Sequence, residues 1–215
     1  GYNFSNLSHS LNEPTTSVDL SVQYIQKSTS ANINILEQGF LISTNESSLG
    51  NNRILGSISG NTLQKQINDL NISSTYYYQA FVENEYGLFK SEIETFNTKA
   101  VLGGLAQGGI IVEVDASGFH GKVVTSTDYW VRKQWSTESC GFNDLITRFD
   151  DGLEATEKIL DYFSAKTASA PAAEYCFNLV IDGFDDWFLP DFDEIRPAQI
   201  YLSNAGYKQK VLETD

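Results

Sequence analysis

Histidine and cysteine are scarce in this 215-residue sequence, with two of each, and long apolar runs are missing altogether. Each shortage narrows the function. Apolar stretches such as Gly109–Val112 and Ala80–Val82 fall far short of the roughly 20 residues that cross a bilayer as a helix. His9 and His120 are too few for most metal or acid–base constellations. Cys140 and Cys176, 36 residues apart, lack metal-ligand spacing, and neither has the neighbouring His that activates a thiol nucleophile. One disulfide within the second half is the expectation for this pair, with two buried free thiols as the alternative. No basic-plus-apolar leader opens the chain and residue 1 is Gly, which reads as a processed or trimmed N-terminus.

Positive charge is also in short supply: 14 Lys and Arg stand against 28 Asp and Glu, a net charge of −14. Residues 1–100 carry 5 and 9, net −4, and residues 101–215 carry 9 and 19, net −10. Such a field repels phosphate backbones and anionic lipid heads, so nucleic acid and membrane surfaces are poor partners. Neutral glycans, proteins with basic patches and divalent cations fit the charge, and solubility of a secreted protein is the plainer account of it. What the chain has in quantity is apolar residues (41%) and aromatics (13%), enough to exclude disorder and to build one large core or two ordinary ones.

The first hundred residues alternate short β-rich runs with polar turns. Val18, Leu20, Val22 and Tyr24 keep the period of two of a half-buried strand. Further strands are expected within Ala31–Thr44, at Thr62–Ile67, at Thr75–Glu83 and around Ile93–Thr98, with Asn45–Asn52 as a loop. Turn signals recur about every 8 to 12 residues, which points to an all-β sandwich. Leu70 stands six residues before Tyr76, and Tyr76, Tyr78, Ala80 and Val82 share one face of the strand that follows. A Tyr so placed can bury its ring while its hydroxyl bonds the backbone upstream. Tyr77 and Phe81, on the other face, are expected at the surface. With the closing Phe96-Asn97-Thr98, this pattern resembles the fibronectin type III family, in the form common on surface proteins of Bacteroidetes-like bacteria. The resemblance covers most of residues 1–99, the first domain, and implies a spacer or a protein-binding unit.

Lys99–Gly109 is rich in Gly and reads as a linker or as the lead-in to a second domain, residues 104–215. No GxGxxG fingerprint is present. Gly109–Val114 and Lys122–Ser126 are expected to pair as a hairpin about the turn Asp115–Gly121. Asp150–Ser164 is the clearest helix, capped by Asp150 or Asp151, with Leu153, Thr156, Ile159, Leu160 and Phe163 on one face. Ser164–Ala173 reads as a loop, Cys176–Ile181 as a short apolar segment and Asp182–Asp186 as an acidic turn. Asp191 and Glu194 have capping-box spacing, but Pro197 would fall inside that helix, so the helix is expected to begin properly at Pro197.

In order along this half stand Gly108-Gly109-Ile110-Ile111-Val112, Gly118-Phe119-His120-Gly121-Lys122, Asp151-Gly152 with Thr156 and Ile159, Cys176, and Asp186-Trp187-Phe188-Leu189-Pro190…Glu194. The series resembles the DUF1566 family, also called the Lcl C-terminal domain, of bacterial surface proteins. The resemblance implies a C-type-lectin-like α+β fold and a role in adhesion or glycan binding, with Asp186, Trp187, Leu189, Pro190 and Glu194 as structural elements. It also implies further strands after the Leu-Pro element, so with the sequence ending at Asp215 those strands are expected to be missing or supplied otherwise. The net charge of −10 argues against a sulfated polysaccharide and for a neutral glycan or a host or surface protein.

Three sets of residues compete as sites. Exposed Trp faces stack on sugar rings, which makes Trp130 and Trp135, with Asp185 beside the motif, the ligand-binding candidates; Trp187 is expected in the core. Asp182, Asp185, Asp186, Asp191, Asp193 and Glu194 could offer oxygens to Ca²⁺, but EF-hand spacing is lacking, and such acids more often cap helices and fix turns. A hydrolase would need paired carboxylates or a nucleophile with its base, and His120, set between Phe119 and Gly121 in a turn, has no evident partner. The reading is therefore non-catalytic and without a resident cofactor. It describes an exported, extracellular or cell-surface protein, whose sandwich presents a domain for adhesion or glycan binding. The alternative is an accessory or structural module of a larger secreted glycan-degrading protein.

Overall fold

A computed structural model describes residues 1–12, 16–27, 33–138, 151–166 and 168–204. The chain divides into two compact units, Gly1–Val101 and Leu102–Asp215. It is rich in β-structure, arranged as several antiparallel sheets. No helix among the described residues is long and apolar enough to cross a membrane.

Among the described residues the first unit has nine strands: β1 (Tyr2–Asn12), β2 (Ser17–Gln26), β3 (Ile35–Ser43), β4 (Arg53–Leu55), β5 (Ser57–Ser59), β6 (Thr62–Ile67), β7 (Thr75–Asn84), β8 (Gly87–Lys90) and β9 (Glu94–Asn97). One sheet runs β1-β2-β6-β5. The other runs β4-β3-β7-β8, and β9 continues beside the opposite half of β7. Alternation decides which side chains turn inward. Val18, Leu20 and Val22 of β2 and Leu63 and Ile67 of β6 share a core with Phe40 and Ile42 of β3 and with Tyr76, Tyr78 and Ala80 of β7. Residues of both sheets thus bury one another, each large apolar side chain contributing about 1.5–3 kcal/mol. The Tyr76 ring stacks on Phe96, and its hydroxyl accepts the Asn71 N–H at 2.8 Å.

β1 escapes the alternation rule because its parity changes midway. Tyr2 and Phe4 precede a bulge, and Leu7, His9 and Leu11 follow it; the pairing with β2 slips between Ser5 and Ser8, where Asn6 takes a left-handed φ of 52°. One extra residue moves every later side chain to the other face. β4 and β5 are too short to show any period. Between them the chain crosses from one sheet to the other at Gly56, whose N–H bonds Gln38 O. Gly39 permits that crossing, since a Cβ there would lie 2.0 Å from Ile54 O.

Phe81 is not a surface aromatic. It is 0% exposed, and with Leu41 and Leu49 it forms a second cluster on the outer face of its sheet, against which Tyr77 packs half-buried. The covering element is a 3₁₀ turn, Glu46–Asn51, started by Asn45, whose side chain accepts the Ser47 N–H at 2.9 Å. Asn45–Asn52, expected as a plain loop, is thus a packed element carrying Leu49.

In the second unit a three-stranded antiparallel sheet has the order β10 (Leu105–Ala106), β11 (Gly109–Val114), β12 (Gly121–Thr125). The end of the Gly-rich stretch is therefore a hairpin, turned at Gln107 and Gly108, both at positive φ. Among the described residues three α-helices follow: α1 (Gly152–Ser164), α2 (Pro171–Phe177) and α3 (Phe192–Asn204). Asp151 caps α1, accepting the Leu153 N–H at 2.8 Å. Phe163 of α1 packs with Ala170 and Ala173.

Two boundaries differ from expectation. α2 starts inside the expected loop and takes in Cys176, because Pro171 suits a first helical position, where its missing N–H costs nothing. α3 begins at Phe192 rather than Pro197. Asp191 and Glu194 each accept the other's backbone N–H, at 2.8 and 3.0 Å, and this reciprocal cap holds the first turn despite the proline further along.

Candidate functional site

The motif residues of the second unit converge on one carboxylate. Glu194, at the start of α3, has a side chain only 8% exposed; its Oε1 accepts Lys122 Nζ at 2.7 Å and its Oε2 accepts the Asp191 N–H. A buried carboxylate needs such partners. Burial works against the Lys122 charge, but the Glu194 hydrogen bond and the negative field of Glu194, Glu113 and Asp151 outweigh it and raise the ammonium pKa. Beside this pair, Gly152 leaves no room for a side chain: a Cβ would stand 2.2 Å from Glu194 Oε2 and 2.8 Å from the Phe188 ring. Thr156, one turn along α1, is fully buried. Its hydroxyl donates to Gly152 O at 2.7 Å and accepts the Leu189 N–H at 3.0 Å. The Leu189 segment is thereby tied to α1. The hydrogen bonds of Glu194, Asp191 and Thr156 thus hold α1, α3, the hairpin and the Leu189 segment to one another.

Trp187 is half-buried rather than core, and its Nε1–H donates to Phe184 O at 3.1 Å. Leu189 is half-buried and Pro190 exposed. Asp186 is exposed beside the tight Ile181–Phe184 turn, in which Asp182 and Gly183 both take positive φ. Two consecutive left-handed residues are what a type I′ turn requires.

The stretch after β12 places the two candidate tryptophans. Trp130 is 37% exposed and donates Nε1–H to Thr125 O at 3.3 Å, while Trp135 is 50% exposed. Their segment is tied down at several points. Tyr175 of α2 donates its hydroxyl to Tyr129 O at 2.9 Å, Ala172 N–H reaches Gln134 O at 3.1 Å, and Thr137 and Ser169 exchange hydrogen bonds. Between the tryptophans lie exposed Arg132 and Lys133, the latter 5.4 Å above the Tyr175 ring. A donor-bearing segment with two exposed indoles can stack on a ring and hydrogen-bond its substituents. Asp185 is exposed on the separate 181–184 turn and shares no hydrogen bond with either tryptophan among the described residues.

Lys133 and Tyr175 escaped the sequence reading. The pairing of Tyr175 with Tyr129 crosses 46 residues, and no local pattern announces it. Cys176 carries a free thiol whose pKa is raised by burial, and Cys140 lies outside the described residues. Among the described residues no group of three or more His, Cys, Asp or Glu could hold a metal ion. Of the acids weighed for Ca²⁺, Asp191 and Glu194 are used in the α3 cap.

No family model matches the chain, and no curated protein matches it. Among solved structures, the sensor domain of the anti-sigma factor RsgI4 of Pseudobacteroides cellulosolvens is similar over 46% of this chain and 74% of its own, at 22% identity and a TM-score of 0.32. At that score the likeness carries no inference about fold or function.

Proposed function

We propose that this is a non-catalytic bacterial surface protein that binds a glycan or a surface protein through its second unit. In this reading Gly1–Val101 is a fibronectin III-like sandwich. Leu102–Asp215 belongs to the DUF1566 or Lcl C-terminal type, with a C-type-lectin-like α+β fold. The strand order β1-β2-β6 against β4-β3-β7, with the Tyr76 hydroxyl on Asn71 N–H, supports the first assignment. The capped Asp191–Glu194 turn joined through Lys122 to the β-hairpin supports the second.

The observation that carries the function is the pair of exposed indoles, Trp130 and Trp135, on a segment fixed to α2. Aromatic faces left in water on a tethered segment suit the C–H face of a sugar ring, with Arg132 and Lys133 donating to its hydroxyls. The acidic unit as a whole disfavours sulfated ligands, so the preferred ligand is a neutral glycan or a protein face. Export to the cell surface belongs to the same proposal.

A glycan-array screen of the full chain, followed by titration of any hit, tests this. A saccharide that binds wild type and is lost in both Trp130→Ala and Trp135→Ala supports the reading. Binding unchanged in both variants, or no binding to any glycan or surface-protein preparation, sinks it.

A further inference from the structure

The first unit has a cleft of about 490 Å³ where the 3₁₀ turn Glu46–Asn51 faces the β6–β7 connection. That volume lies within the range of about 300–1,000 Å³ usual for small-molecule sites. Ile42, Ile67, Leu70 and Tyr76 form its apolar floor. Its rim is made of side-chain amides, hydroxyls and one carboxylate, with Asn51 on one side and Asn68, Asp69 and Asn71 on the other. Among the described residues no Lys, Arg or His lines it.

The rim is built to hold its shape. In the connection, Leu70 N–H bonds Thr16 O at 2.9 Å, Asn71 N–H bonds the Tyr76 hydroxyl at 2.8 Å, and the Thr98 hydroxyl donates to Asn71 O at 2.7 Å. Asp69 is held at a φ of 58°, a left-handed backbone that costs a non-glycine residue on the order of 1 kcal/mol. The Leu70 and Asn71 N–H groups and the Asn71 carbonyl are thus bonded internally, whereas the side chains of Asn51, Asn68, Asp69 and Asn71 have no hydrogen-bond partner among the described residues. They are exposed and arranged around an apolar floor.

We propose that this cleft binds a neutral saccharide unit, which makes Gly1–Val101 a ligand-binding unit and not a spacer alone. Each sugar hydroxyl both donates and accepts, as an Asn amide does, and a carboxylate such as Asp69 accepts from two adjacent hydroxyls. The C–H face of the ring matches the floor. An anion would meet a carboxylate and no cation. A peptide adding to a sheet edge would be read by backbone groups, whereas the polar groups offered here belong to side chains.

The test is a ¹H–¹⁵N amide-shift titration of the full chain with neutral tetrasaccharides of glucose, xylose, mannose and galactose at millimolar concentration. The proposal expects saturable shifts at residues 42–52 and 67–71, weakened about tenfold or more by the double variant Asn51→Ala/Asn68→Ala, as loss of two hydrogen bonds would do. Asp69→Asn keeps a side chain that tolerates the left-handed backbone and should weaken binding alone. Shifts confined to residues 129–137 would overturn this site while leaving the tryptophan reading intact. Absence of shifts at the cleft with every sugar, shifts that the double variant leaves unchanged, or tighter binding of an uncharged capped tetrapeptide would each overturn it too.

Discussion

The Arg53 guanidinium carbon lies 5.3 Å from the centroid of the Phe81 ring, and the same guanidinium is held by Glu37 at 3.0 Å and by Glu83. Cation and ring sit on one sheet face, on strands β4 and β7 that flank β3, where Leu41 and Leu49 bury what Arg53 does not cover. A residue that alternation assigns to water is in this way a second core.

Phe81→Ala should therefore destabilise the first unit by about 3–5 kcal/mol, the usual cost of removing a fully buried Phe. A true surface aromatic would change stability by roughly 0.5 kcal/mol or less. All three tryptophans lie in the second unit, so Trp fluorescence reads that unit and far-UV circular dichroism reads both. In urea, the variant should lose a circular-dichroism transition early while the fluorescence transition stays in place. No change in the circular-dichroism transition would contradict the assignment.

In the second unit, Thr156→Val should cost about 1–3 kcal/mol, because the Leu189 N–H then loses its buried acceptor. Thr156→Ser keeps the hydroxyl and should lose less. Gly152→Ala should cost about 1–3 kcal/mol by overpacking against Glu194 and Phe188. Fluorescence-detected urea midpoints measure all three, and a Gly152→Ala protein as stable as wild type would show that the Leu189 segment can move aside.

Alkaline pH should destabilise the first unit through Tyr78. Burial, with a smaller push from Glu94, moves the Tyr78 hydroxyl from its ordinary 10 up to about 12. A folded-state pKa above the unfolded one means that the folded state keeps its proton longer. The associated stability is complete below pH 10 and is lost as pH rises from about 10 to about 12. Tyr78→Phe, which also gives up the 3.1 Å contact with His9, should flatten that decline. Urea midpoints by circular dichroism across this range supply the check, and an equal slope in wild type and variant would refute the assignment to Tyr78.

Much of the local architecture was legible in the chain. The alternation of Val18, Leu20 and Val22 marked β2, the run from Tyr76 marked β7, and Asp151 before Leu153 marked the start of α1. These features are written within one strand or one helical turn. β1 was not, because the bulge at Asn6 divides its pattern into two halves of opposite parity. The start of α3 was half legible: the Asp191–Glu194 spacing is visible, but weighing it against Pro197 required the reciprocal hydrogen bonds. For the candidate site, Trp130 and Trp135 stood out by residue type, while their tethers to α2 did not.

What the sequence determined by itself was the composition of each half and the period of its clearest elements, since these depend only on neighbours along the chain. Tertiary structure alone decided that Phe81 is core, that Lys122 answers Glu194 across 72 residues, and that Asn51 and Asn68 share a cleft. The reason is physical. A side chain's exposure is set by whatever packs over it, and on the outer face of a sheet the cover can come from a segment, here Leu49 and Arg53, that no periodicity links to the strand beneath.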